Sequence, residues 1–332
     1  MKKGRVVIVT GASADLGRAI AHEFAKEGAS IGLIARNPEA LAGTRREVEQ
    51  YGGTGLILPL DVADSNAVED AAEKVEQQFG PIDVWVNDAM VSVFSPVAEM
   101  EPEEYKRVTE VTYLGYVYGT LSALKRMKPR NRGVIIQVGS ALAYRSIPLQ
   151  SAYCASKHAM KGFTESLLCE LSHDNSEVKV CMVHMPALNT PQFDWVKSRL
   201  PRHPQPVPPI YEPEVGARAV HWASIHTPRE LLVAYPTVEA VLGEKVIPAY
   251  LDKYLGETCY AGQQTDEPVS PDRPNNLWNY VPGDRGAHGS FDDRSRPIAP
   301  EVWARTHVGT LAAVTGGLIG FALYAMNKRR AA

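Results

Sequence analysis

Tyr153 and Lys157 stand four residues apart in Tyr153-Cys154-Ala155-Ser156-Lys157, and Ser140 precedes them by little more than a dozen positions. The pair opens the apolar-periodic stretch Ala152–Leu171, so a helix there puts both side chains one turn apart on a single face. A phenol with an ordinary pKa of about 10 is a poor acid or base at neutral pH, and a neighbouring ammonium favours its phenolate. A second chemical feature lies near the start, where Thr10-Gly11-Ala12-Ser13-Ala14-Asp15-Leu16-Gly17-Arg18 follows a β-branched run. Small residues permit a tight turn there, and the amides and dipole of the helix that follows suit a diphosphate. At Ala35-Arg36 the sequence offers a guanidinium instead of the acid that would bond a free ribose 2′-hydroxyl. That exchange favours a 2′-phosphate, hence NADP(H).

Such groups need a scaffold, and the chain from residue 5 to about 185 supplies one. Arg5–Thr10, Ser30–Ala35, Gly55–Leu60, Ile82–Val86, Gly133–Val138 and Val178–His184 read as strands, alternating with helical stretches such as Asp64–Phe79 and Glu103–Met127. That alternation predicts an α/β fold, a Rossmann-type doubly wound parallel sheet in a single domain. Ser140 would then lie just past a strand, at the carboxyl edge where such sheets bind ligands. The proline-dense stretch Pro201–Pro209 follows the last of these strands and is expected to loop over the site.

These elements, taken in order, resemble the classical short-chain dehydrogenase/reductase family over roughly Lys3 to Tyr235. The resemblance rests on the glycine turn Thr10–Gly17, Asp61-Val62, Asn87-Asp88-Ala89-Met90, Ser140, Tyr153 with Lys157, and Pro186-Ala187-Leu188-Asn189-Thr190. It implies a catalytic centre of Ser140, Tyr153 and Lys157, with Thr112 where the family usually has a catalytic asparagine. It further implies a cofactor site at Gly11, Ser13, Asp15, Leu16, Gly17, Arg36, Asp61, Val62, Asn87, Tyr153, Lys157 and Thr190. There Asp61 and Val62 would lie by the adenine, Asn87 near the adenosine ribose and Thr190 by the nicotinamide amide. Ser140 would bond the substrate oxygen while Tyr153 donates or removes its proton as hydride crosses. Asp15 replaces the family's middle glycine and Met90 the glycine of its Asn-Asn-Ala-Gly motif, with Asp88 for the second asparagine; Asp15 would repel a diphosphate. The expected function is an NADP-dependent interconversion of an alcohol and a ketone or aldehyde. The alternative, which Asp15, Met90 and Thr112 raise, is a membrane-held, catalytically weak or inactive dinucleotide-binding scaffold of the same fold.

The remaining composition narrows the field. Lys plus Arg is 35 against 38 Asp plus Glu, without a basic stripe, so nucleic acid has no footprint. Cys154, Cys169, Cys181 and Cys259 are far apart, suiting neither disulfides nor zinc, and the histidines lack ligand spacing, so no metal is expected. A reducing compartment follows, and Met1-Lys2-Lys3 with the short run Val6–Val9 makes no export signal. The catalytic domain is expected at 1–255, and an irregular Pro/Gly-rich extension at 256–302, whose Asn276-Leu277-Trp278-Asn279-Tyr280 suggests packing on the main domain or an adjoining subunit. At 303–332 a C-terminal anchor helix and basic tail are expected. Val308–Met326 is uncharged, and as a helix would be roughly 28 Å long, close to a bilayer's hydrocarbon thickness. The reading is therefore a tail-anchored enzyme facing the cytosol. Its substrate is expected to be a hydrophobic small molecule, for which Phe193, Trp195 and Val196 are suited. A homodimer or tetramer through Glu103–Met127 and Ser151–Leu171 is the family's habit.

Overall fold

The structure, a computed structural model, describes residues 4–270 and 272–306. Seven parallel strands form its sheet: β1 Val6–Thr10, β2 Ser30–Ala35, β3 Thr54–Pro59, β4 Val84–Asn87, β5 Val134–Ser140, β6 Lys179–Met185 and β7 Glu230–Leu232. Their order is β7-β6-β5-β4-β1-β2-β3. The chain winds one way from β1 to β3 and then reverses, so β1 and β4 flank the switch point where doubly wound sheets bind ligands. β1 is buried at every position, and the central strands lie between two apolar layers that cover the two faces.

The crossovers are α1 Asp15–Ala25, α2 Pro38–Gln50, α3 Ser65–Phe79, α4 Pro102–Thr109 with α5 Gly115–Arg130, α6 Ser151–His173 and α7 Pro213–His226. Their starts are legible in the sequence. The Asn37 side chain accepts from the Glu39 and Ala40 amides with Pro38 in the first turn, and Asp64 accepts from Asn66 and Ala67. By contrast α1 begins at Ala14 without a side-chain cap, which leaves its first-turn amides for other partners.

Three expectations change. The helix expected over Glu103–Met127 is interrupted by a single π turn, Glu110–Leu114, which carries Thr112. Regular structure does not end near Leu255: after α8 Tyr235–Val246, α9 Pro248–Gly262 runs past it, and Gln264–Pro268 then pairs antiparallel with Arg202–Pro204 in the proline-dense stretch. β7, too short to show a period, joins the sheet beside β6. Val308–Met326 lies outside the described residues, among which no helix is long and apolar enough to cross a membrane.

Candidate active site

A cleft of about 450 Å³ opens above the carboxyl ends of the central strands. Gly11, Ser13, Asp15, Leu16, Arg36, Asp61, Val62, Ser140, Tyr153, Lys157 and Thr190 all line it. Gly17, Asn87 and Thr112 do not. Gly17 is instead a point of close approach: a Cβ there would lie 2.4 Å from the Gly11 carbonyl oxygen. Gly11 itself has φ +78° with Ala89 against it, so the turn beneath the cleft needs both glycines.

The Asn87 side chain, which the resemblance sets near the adenosine ribose, is engaged within the core. It is buried, accepts from Trp85 Nε1 at 2.8 Å, and donates to Thr120 Oγ1 at 3.1 Å and Gln137 Oε1 at 3.0 Å. It thus braces β4 against α5 and β5, while Asp88, Ala89 and Met90 face the cleft. Thr112 is also fully engaged elsewhere, because its hydroxyl donates to the Val91 carbonyl at 2.8 Å and accepts from the Val91 amide at 3.0 Å. It pins the loop after β4 to the π turn and has no bond to the lysine.

Lys157 finds another partner, one that the resemblance did not supply. Its Nζ donates to the Tyr116 hydroxyl at 2.9 Å and to the Val138 carbonyl at 2.7 Å, while Tyr116 donates to the same carbonyl at 2.9 Å. Tyr116 is fully buried and lies one turn beyond Thr112, a spacing that was available in the sequence. Burial lowers the Lys157 ammonium to about 8, opposed by the nearby Asp88 carboxylate.

Tyr153 hydrogen-bonds Ser140, whose hydroxyl also accepts from the Leu142 amide at 3.1 Å. Burial pushes the phenol up and the Ser140 bond draws it partly back. Protein groups alone therefore hold Tyr153 as the neutral acid, contrary to the phenolate suggested by its lysine neighbour. Beneath Ser140, buried His184 donates from Nδ1 to the Ser140 carbonyl at 3.1 Å and sets Nε2 2.8 Å from Glu230. It is a structural support for the strand end.

Two carboxyls face the start of α1. Asp15 occupies the left-handed region, φ +56°, accepts from the Gln192 amide at 3.1 Å and is pushed up to about 7 by burial and by Asp88. Asp88, also raised to about 7 by burial, is drawn down by Lys157 and by the Gly17 amide. Arg36 has neutral partners: it donates to the carbonyls of Asn276 at 2.6 Å and Trp278 at 3.1 Å, while neighbouring Asp61 is paired with Arg107. It is therefore a cation at the cleft rim without a carboxylate of its own. At the other end the lining turns apolar, with Met90, Leu142, Ile147, Phe193, Trp195 and Leu255. Pro206, Val207, Pro208 and Pro209 also line the cleft. Among the described residues no cluster of three His, Cys, Asp or Glu could hold a metal.

This arrangement of a glycine turn, a switch-point cleft and a serine, tyrosine and lysine within it agrees with comparison to known proteins. The sequence model of the short chain dehydrogenases matches residues 5–199. The chain belongs to the short-chain dehydrogenase family. As a member it is an oxidoreductase of a family that binds a nicotinamide dinucleotide. This short-chain dehydrogenase is 31% identical over 324 residues to the uncharacterized oxidoreductase YxnA of Bacillus subtilis, covering 96% of this chain and 90% of that one. To human dehydrogenase/reductase SDR family member 7 it is 39% identical over 171 residues, half of each chain. An alcohol dehydrogenase from Thermococcus sibiricus, solved with 5-hydroxy-NADP, superposes with a TM-score of 0.60 at 26% identity, covering 69% of this chain and 95% of that one.

Proposed function

We propose that this short-chain dehydrogenase interconverts a lipophilic alcohol and its carbonyl compound with NADP(H). The observation that carries the reading is the convergence of Ser140, Tyr153 and Lys157 in one cleft whose other end carries Arg36 without a carboxylate partner. The Gly11–Gly17 turn, Arg36, Asp61, Val62 and Thr190 would hold the dinucleotide, and the fit is supported by the close-packed glycines, which leave the first turn of α1 opening on the cleft. When bound, the nicotinamide supplies or accepts the hydride.

The residues of the chain do the rest. Ser140 orients the substrate oxygen by hydrogen bonding, and Tyr153, held neutral, gives its proton to that oxygen as the carbonyl is reduced. In the opposite direction the phenolate takes the proton back. Lys157 sets its charge beside the tyrosine ring, 5.5 Å from the ring centre, and the Tyr116 hydroxyl fixes its position. A purely binding scaffold has no use for this constellation, and Asp15, Met90 and Thr112 all lie outside it.

Lipophilicity is supported by the apolar end of the cleft and by its outer wall. Pro236, Ala240 and Leu255 line the cleft from α8 and α9, while Tyr235, Leu242, Val246, Ile247, Tyr250 and Tyr254 of the same helix pair are exposed. An apolar surface joined to an apolar cleft suits a substrate delivered from a membrane. The uncharged run Val308–Met326 would tether the enzyme there, catalytic domain in the cytosol, and full-length protein is expected to resist a carbonate wash.

The test is turnover of hydrophobic ketones and aldehydes with NADPH. Tyr153→Phe preserves the ring and is expected to lower kcat by orders of magnitude with little change in dinucleotide affinity. Equal turnover by wild type and variant would refute the assignment.

A further inference from the structure

Between Asn275 and Phe291 the chain crosses the mouth of the cleft as a strap without helix or strand. It is tied on both banks. On one, the Asp15 amide donates to the Gly286 carbonyl at 3.2 Å, Arg18 pairs with Asp284, and Asn37 Nδ2 donates to the carbonyls of Val281 and Gly283 at 3.2 and 3.0 Å. On the other, the Asn276 amide donates to Trp195 at 2.9 Å, Arg107 Nε to Leu277 at 2.9 Å, and the Phe291 amide to Asn189 Oδ1 at 3.0 Å. Leu277 is wholly buried in the core beneath. Asn276, Tyr280, Val281, Gly283 and Arg285 form part of the cleft wall.

The strap changes what the cleft offers an anion. Its carbonyls take the first amide of α1 and the guanidinium of Arg36, both of them donors suited to phosphate. In return it delivers Arg285. That residue is fixed between two neighbours, Asp284 and Gly286, each bonded to the first turn of α1, and it lines the cleft with no hydrogen bond or ion pair to any described residue. A guanidinium placed there adds a positive charge to a cleft in which Asp15 stands where the resemblance expects a glycine.

We infer that the strap is a working part of the dinucleotide site and that Arg285 is its phosphate-binding residue, engaging the phosphate groups of the cofactor beside the start of α1. The inference rests on the dinucleotide reading above and adds to it a residue from outside the stretch that resembles the family. A charge-assisted bond of this kind predicts a tenfold to hundredfold contribution to affinity.

Arg285 is exposed, so Arg285→Gln is expected to fold normally. Titration of the purified full-length protein with NADP and with NAD, followed by intrinsic tryptophan fluorescence, gives the readout independently of turnover. A loss of at least tenfold for both dinucleotides places Arg285 on the diphosphate; a loss confined to NADP places it on the 2′-phosphate, and either supports the inference. Saturating NADP is also expected to slow tryptic cleavage after Arg285 severalfold in the wild type. Wild-type affinity in Arg285→Gln, or cleavage unaltered by NADP, overturns the role of Arg285 and leaves the dinucleotide reading intact. Wild-type protein that binds neither dinucleotide overturns both.

Discussion

Asp15→Asn isolates one charge at the start of α1. Asparagine keeps an oxygen for the Gln192 amide and tolerates φ +56° as aspartate does, so the difference between the two is ionisation. An unfolded chain releases this proton near 3.8, whereas the folded protein retains it to about 7. The fold therefore binds the proton more tightly: the stability it contributes is complete below 3.8, declines as pH rises from there to about 7, and is flat above. At about 1.4 kcal/mol per pH unit, that interval sets a ceiling of roughly 4 kcal/mol; because the side chain opens onto the cleft, about 2 kcal/mol is the working figure. Asp15→Asn is then expected to match wild type at pH 4 and to exceed it by about 2 kcal/mol at pH 8, or roughly 4 °C in Tm. Urea unfolding at pH 4, 6 and 8 measures it. At pH 8 the variant is also expected to bind NADP more tightly, since a carboxylate no longer faces the diphosphate. A stability difference that is the same at all three pH values, or a variant less stable at pH 8, would refute the reasoning.

Tyr116→Phe removes the hydroxyl that fixes Lys157 and leaves the fold's apolar contacts intact; kcat is expected to fall about tenfold with KM for substrate little changed, and the pH profile of kcat to shift. Arg36→Ala is expected to weaken NADPH more than NADH in equilibrium titration, by roughly tenfold or more, and equal losses would remove it from the 2′-phosphate. Leu277→Ala empties a buried site and is expected to cost about 2–4 kcal/mol locally, visible as faster proteolysis of the strap before the sheet is affected.

The sheet was legible because six of its seven strands are short, largely apolar runs set between turns and helical stretches, with the central ones buried on both faces and β3, at the edge, only partly so. β7 has three residues and takes its place from the crossover that precedes it, so no period could reveal it. Within the cleft, Ser140, Tyr153 and Lys157 were readable from spacing and strand position. What sequence could not give was which partner each side chain takes. Thr112 was expected at the catalytic centre, but its short hydroxyl reaches the Val91 backbone across the π turn, and the longer Tyr116 is the residue that meets the Lys157 ammonium. Arg36 was assigned to a phosphate alone, because nothing local discloses that carbonyls some 240 residues further on will meet it. The strap could only be suspected from its aromatic content, since irregular backbone has no period to read.

The bond between Arg18 and Asp284 joins positions 266 residues apart. During synthesis at about 5–20 residues per second, α1 and its glycine turn wait roughly 15–50 s for the segment that will roof them. The sheet can be assembled well before then, with β1 to β6 complete at Met185. A nascent chain therefore presents an open, half-made dinucleotide groove without Arg285, and the groove acquires its final charge only as the last sixth or so of the 332 residues emerges. Loss of the C-terminal fifth, by premature termination or by proteolysis, would thus leave a folded sheet with its serine, tyrosine and lysine in place but with the wrong electrostatics for the molecule they serve.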